Sequence, residues 1–374
     1  MEEQDYKNDP HSFYLPLDND GRGTIPSASE ALQEDEKAIA EAFANEGFFV
    51  LRESFDTDVL LPFREFANAY FAKCFEDLCD HGHIEAPLYR RRKKGLSDED
   101  YSSDNTAREQ QQQQQYTYTL QQGIQHGFRE IVMRSPGRYE LSLLHFDRKQ
   151  TTDHDDEIDD DNNNNNNNNQ TKTSFDAFPL GDNISRLVEP LKSLLPRLVG
   201  PNYATHDELK LCHLSLLIAT PGSSDQSWHA DGGHANVSKH LPCHCFNVFF
   251  PLQDTPRVLG PTELRPASHF LTRNLGPMML AARCRKALKA PVWPELAFGD
   301  AIVLDYRVLH RGRANLSGGG DASPAGANGN TTSFPAINRN YLVLSYSEPW
   351  FQDILNFPKR SMYDRTQDLV DANA

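Results

Sequence analysis

His229 and Asp231 stand two residues apart in the stretch Gln226-Ser227-Trp228-His229-Ala230-Asp231. On an extended segment that spacing puts both side chains on one face. A ring nitrogen and a carboxylate oxygen side by side can hold one divalent metal. A second histidine from a distant strand would complete the two-histidine, one-carboxylate facial site of non-haem Fe(II) oxygenases, which leaves positions open for a co-substrate and dioxygen. His-x-Asp is common by itself, so its meaning depends on the residues that accompany it. His310 lies 79 residues after Asp231, just past the apolar run Ala301 to Tyr306 that begins at the turn Gly299-Asp300. Arg339 opens a second apolar run, Asn340 to Tyr346. A guanidinium there can grip a carboxylate bidentately, as 2-oxoglutarate would require at its end remote from the metal. Arg313 is the rival anchor. Asn247 and Ser345 share strand parity with neighbours facing the core and are candidates to contact the co-substrate.

These groups need strands to carry them. From Leu209 onward the chain reads as short strands punctuated by Gly and Pro: Leu209 to Ala219, Phe246 to Leu252, Leu264 to Pro266, Ala301 to Tyr306 and Tyr341 to Tyr346. That pattern predicts a barrel or jelly roll. Ahead of it come a helix ending at Gly47, a buried strand Phe48 to Leu51, a second helix from about Thr57, and a strand around Gly137 to Leu141. A helix is expected from Asp182 to about Leu198, bent at Pro190. The fold class is therefore mainly β with flanking helices.

Residues 1–28 lack periodicity and are expected to be disordered, and 358–374 to form a C-terminal tail. Between them, 29–357 reads as a single domain with inserts at about 90–123, 149–175 and 318–333, the first two carrying the glutamine tract Gln110 to Gln115 and the asparagines Asn162 to Asn169. Such tracts cannot bury enough apolar surface to offset their ordering entropy. The basic run Arg90 to Lys94 reads as a solvated loop, with nuclear import the lesser alternative.

The formal net charge is −16, and seven of the acidic residues fall in the one tract from Asp153 to Asp161. An acidic chain disfavours nucleic acid as a partner. No apolar run is long enough to span a bilayer, and the first residues are acidic and polar, so no membrane and a cytoplasmic setting are expected. Six cysteines in a chain of 374 residues do not form a disulfide framework.

Together, Trp228-His229-Ala230-Asp231, Gly260-Pro261-Thr262 leading to Arg265-Pro266-Ala267-Ser268-His269, Gly299-Asp300 before His310, and Arg339 before an apolar strand resemble the phytanoyl-CoA dioxygenase-like family. The similarity spans roughly 30 to 350. The resemblance implies the double-stranded β-helix (jelly-roll, cupin-like) core of the Fe(II)/2-oxoglutarate oxygenases. It further implies that His229, Asp231 and His310 bind Fe(II), that Arg339 pairs with the distal carboxylate of 2-oxoglutarate, and that dioxygen is consumed with release of succinate and CO2 as a small organic molecule is hydroxylated. Halogenases of this type replace the carboxylate ligand with a small residue, so Asp231 argues for oxidation.

Two other classes fit the same residues. A zinc-dependent hydrolase or isomerase would use the triad with water in the open position, although it needs no arginine anchor. A non-catalytic binding or scaffold protein would have no need for all four residues. Cys243-His244-Cys245 lacks the second cysteine pair that structural zinc requires. His269 is expected to hydrogen-bond structurally, His234, His240 and His244 to be loop residues, and Trp228 and Trp350 to pack or bracket a substrate.

Overall fold

The computed structural model describes residues 36, 39–84, 120–143, 180–199, 205–273, 288–318, 335–353 and 356–363. A helix over 39–46 (α1) ends at Gly47, whose φ of 81° is left-handed. A Cβ there would meet Val308 and His269 at 2.4 and 2.6 Å, so conformation and space both demand glycine. The chain turns directly into β1 (Phe48–Leu51). Asp56 then caps α2 (Thr57–Asp80) by accepting from the Asp58 N–H at 2.9 Å. Leu60, Phe63, Ala67, Phe71, Cys74 and Leu78 recur at helical spacing and are buried, so one stripe of α2 faces the sheet.

The hairpin β2 (Ile131–Ser135) and β3 (Arg138–Ser142) comes next along the chain, then α3 (Leu180–Val188) and β4 (Lys210–Ala219). After these come β5 (Cys245–Pro251), β6 (Thr262–Leu264), β7 (Ala301–Asp305), β8 (His310–Gly312) and β9 (Arg339–Ser347). Seven strands form one antiparallel sheet in the order β1-β7-β5-β9-β4-β3-β2. The pair β6-β8 forms a second sheet, widened by bridges from Leu264 to Val292 and from His310 to His229.

Strand alternation divides the large sheet into two faces. Tyr139, Leu216, Phe246, Val248, Phe250, Leu342 and Leu344 lie in the core cluster that holds the α2 residues. Phe249, Ile302, Leu304, Tyr341 and Val343 point the other way and pack with Leu264 and Val292 of the small sheet. Each large apolar side chain buried this way contributes about 1.5–3 kcal/mol. Two facing antiparallel sheets make the expected double-stranded β-helix.

Several expectations shift. The helix predicted over Asp182 to Leu198 stops at Val188, continues as a 3₁₀ turn at Glu189–Leu191 and resumes only at Leu195–Leu198. Pro190 and Pro196 each remove a backbone donor, which breaks the helix rather than bending it. The strand β2 has no expected counterpart. Leu120 is buried, so the insert given as 90–123 ends before it. Ser361 and Met362, assigned to the tail, are buried: the Ser361 hydroxyl donates to Glu130 at 2.6 Å and the Met362 N–H to the same carboxylate at 3.0 Å. Residues 1–28, Arg90 to Lys94, Cys284 and the Gln and Asn tracts lie outside the described residues. Among the described residues, no helix is long and apolar enough to cross a membrane.

Candidate active site

His229 and His310 are 81 residues apart in sequence and directly opposite in space. Each donates its backbone N–H to the other's carbonyl, at 3.1 and 2.8 Å, so both side chains leave the small sheet on one side. Asp231, two residues beyond His229, shares that side. One donor atom from each of the three lies within 4.8 Å of the others. Nε2 of His229 is 3.8 Å from Oδ1 of Asp231, and Nε2 of His310 is 3.6 Å from Oδ2.

The rings are oriented by their own strands. Nδ1 of His229 meets the Ser227 carbonyl at 2.9 Å, and Nδ1 of His310 meets the Val308 carbonyl at 3.0 Å. A carbonyl only accepts, so Nδ1 carries a proton, and in the neutral ring the lone pair lies on Nε2, toward Asp231. Burial and the neighbouring His310 lower the His229 pKa, which favours the neutral, ligating imidazole. The loop that delivers His310 is clamped by Arg307, whose Nη2 and Nε donate to Asp305 at 2.6 and 2.8 Å, with both residues buried. That pairing outweighs burial and holds the Asp305 pKa below its usual value.

Asn247 and Ser345, expected to contact the co-substrate, are tied to the triad. The Asn247 amide donates to Oδ2 of Asp231 at 2.6 Å, and the Ser345 hydroxyl donates to Oδ1 of Asn247 at 2.5 Å. Both also line a cavity of about 530 Å³ that holds the triad on one wall. A chain of rings leads away from it: His310 to Phe249 at 6.3 Å, Phe249 to Tyr341 at 6.2 Å, then the Arg339 guanidinium 5.0 Å over Tyr341.

Arg339 is buried, donates Nη1 to the Gly260 carbonyl and leaves Nε without a partner among the described residues. A second buried arginine, Arg138, lines the same cavity and donates to the carbonyls of Ser224 and Arg313. Among the described residues no carboxylate forms an ion pair with either. Burial lowers both pKa values, and for Arg138 the charge of Arg339 adds to the effect. Two buried like charges, neither in an ion pair, make an anion-binding position. Arg313, the rival anchor, is neutralised by Glu263 at 3.1 Å and Asp225 at 3.4 Å, its guanidinium stacked on Trp293.

A family model for phytanoyl-CoA dioxygenase (PhyH) matches residues 87–321, which contain the whole triad. The chain belongs to the phytanoyl-CoA dioxygenase family. Similar solved structures include AviO1 from Streptomyces viridochromogenes Tue57, 15% identical with a TM-score of 0.43 over 85% of this chain and 97% of that one. EctD from S. alaskensis with bound Fe is 14% identical, with a TM-score of 0.40 over 91% of each chain. HygX from Streptomyces hygroscopicus with nickel and 2-oxoglutarate bound is 13% identical, with a TM-score of 0.39 over 89% of this chain and 98% of that one. The family match stops short of Arg339, which joins the site through the register of β9.

The remaining candidates fall elsewhere. His269 bonds the Ala44 carbonyl at 3.0 Å, the structural use expected of it. His234 lies against Arg307, and the His240 ring contacts those of His269, edge-on, and Phe270. His244 stacks on Trp350. Neither Trp228 nor Trp350 brackets the cavity: Trp228 is held between Arg265 and Arg311, each 4.8 Å from its ring, and Trp350 is 57% exposed. Cys243 donates to the Cys245 carbonyl at 3.0 Å, and among the described residues the triad is the one metal-competent cluster. Sequence reasoning misses Arg138. Its signal is the alternation Arg138, Tyr139, Glu140, Leu141, which places an arginine on a strand's polar face after a tight turn at Gly137.

Proposed function

We propose that this family member is an Fe(II)- and 2-oxoglutarate-dependent dioxygenase that hydroxylates a small organic molecule. The observation that carries the reading is the pairing of a two-histidine, one-carboxylate cluster with two buried arginines that form no ion pair among the described residues, in one cavity. The donor set fits Fe(II): two imidazole nitrogens and one carboxylate oxygen on one face suit a metal that keeps positions open. The arginines fit a dianionic keto-acid, and a hydrolytic zinc site would leave them without a counter-ion.

His229, Asp231 and His310 would hold the iron, and Arg339 would take the distal carboxylate with Arg138 beside it. When bound, iron and 2-oxoglutarate supply oxidation of a substrate C–H bond by dioxygen, with succinate and CO2 as co-products. The chain's own residues do the positioning. Ser227 and Val308 fix the imidazole tautomers, Asn247 and Ser345 steer the carboxylate, and Phe249 and Tyr341 form the apolar wall between metal and anchor. Asp231 supplies the third ligand that a halide would otherwise replace, which supports oxygenation.

The test is Fe(II)-dependent release of succinate from 2-oxoglutarate in air. Wild type should form succinate, and His229→Ala, Asp231→Ala and His310→Ala should each lose it. Zinc-dependent hydrolysis without succinate formation would refute the reading.

A further inference from the structure

The cavity extends beyond the triad to a wall that the proposed oxygenase chemistry does not use. This wall carries Arg134 and Glu140 of the β2–β3 hairpin, His213 of β4 and Asn356 of the C-terminal segment. Arg134 donates Nε to Glu140 at 2.6 Å and Nη2 to the Asn356 carbonyl at 2.6 Å. Nη1 makes no hydrogen bond among the described residues. His213 meets Asp353 through Nε2 at 3.0 Å, and its Nδ1 likewise has no hydrogen-bond partner among the described residues. Both side chains flank one ring: Arg134 lies 5.1 Å and His213 5.5 Å from the centre of Phe357.

Asp353 also accepts from the Tyr306 hydroxyl and the Asn356 amide, so its carboxylate is held in place. Burial disfavours a charged His213, but the bond to Asp353 and nearby negative charge outweigh it and raise its pKa. Arg134 and His213, each backed by a carboxylate, therefore line the cavity together, with Nη1 and Nδ1 not engaged by the described residues. A purely aliphatic chain lying here would strip their water and return no hydrogen bond. A carboxylate would accept from both.

Resting on the oxygenase reading, we propose that the substrate is a small molecule bearing a carboxylate, which Arg134 and His213 bind while a C–H bond is turned toward the triad. The two residues then determine specificity, and the reaction discriminates acids from neutral or long-chain analogues.

The experiment uses the full chain with Fe(II) and 2-oxoglutarate and a panel of small amino, hydroxy and unsubstituted carboxylic acids, each matched to its primary carboxamide, with straight-chain alkanes as neutral controls. Succinate release above the substrate-free rate is the readout. At least one acid should stimulate, with its amide about tenfold to a hundredfold weaker in apparent KM, the discrimination expected of a hydrogen bond to a charged group. Arg134→Gln should erase that acid-to-amide ratio, and His213→Gln should shrink it, an effect that a general loss of folding would not produce. Equal stimulation by amides or alkanes, no stimulation by any acid, or an unchanged ratio in both variants would overturn the proposal. Failure of the oxygenase reading is visible separately, as absence of the slow substrate-free succinate release in wild type.

Discussion

Asn247 donates its side-chain amide to Asp231 across 2.6 Å, to the same oxygen that lies 3.6 Å from Nε2 of His310. One carboxylate is thus shared between its metal-facing role and an amide on the opposite sheet. The bond joins β5 to the segment carrying His229 and fixes the rotation of Asp231. Asn247→Ala should free that rotation and weaken Fe(II) binding by about tenfold to a hundredfold, the usual effect of losing a residue that orients a ligand. Equilibrium titration of Fe(II) under argon would measure it, and unchanged affinity would show that Asp231 is held by other means.

Three arginines near the cavity end should separate cleanly. Arg339→Ala should raise the 2-oxoglutarate concentration for half-maximal succinate formation by about tenfold to a hundredfold, since it removes charge-assisted hydrogen bonds. Arg138→Gln should raise it less, because its remaining bonds run to carbonyls of Ser224 and Arg313. Arg313→Ala should leave it near wild type, its charge being engaged by Glu263 and Asp225. A larger effect from Arg313 than from Arg339 would transfer the anchor.

Acid should unfold this protein through histidines kept neutral. Burial, with the charge of Arg307 second, lowers the pKa of His234, His240 and His244 to about 4 each. The folded-state values lie below the unfolded value of about 6.5. Their contribution is therefore present above about pH 6.5 and is lost as pH falls from there toward about 4, where the unfolded chain binds protons that the native state resists. The Tm should fall across that window, and His244→Gln should reduce the slope. A flat Tm between about pH 7 and about pH 4.5 would contradict this linkage.

Much of the fold is legible in the chain because its strands alternate cleanly. The runs 301–305 and 339–347 are bounded by turns, and His229, Asp231, His310 and Arg339 sit at positions whose parity points inward. The sequence supports only proximity between His229 and His310, which the structure makes specific as a two-residue bridge. Arg138, Arg134 and Asn356 are harder to find. The β2–β3 hairpin is short and stands between low-complexity tracts, so periodicity has few residues to act on. The role of Asn247 depends on which side chain faces it from another sheet, a long-range relation that parity alone does not supply. Pro190 is plain in the sequence, but whether a proline bends or breaks a helix depends on the packing around it.

The triad and the arginine pair together should hold a metal and a keto-acid in one cavity, and on that the oxygenase reading stands. The most direct measurement is anaerobic addition of Fe(II) and then 2-oxoglutarate, monitored by visible absorption. Wild-type protein should show a weak metal-to-ligand charge-transfer band that saturates with 2-oxoglutarate. The band should be absent in Asp231→Ala and need far more 2-oxoglutarate in Arg339→Ala. No band from wild-type protein with iron bound would contradict the claim.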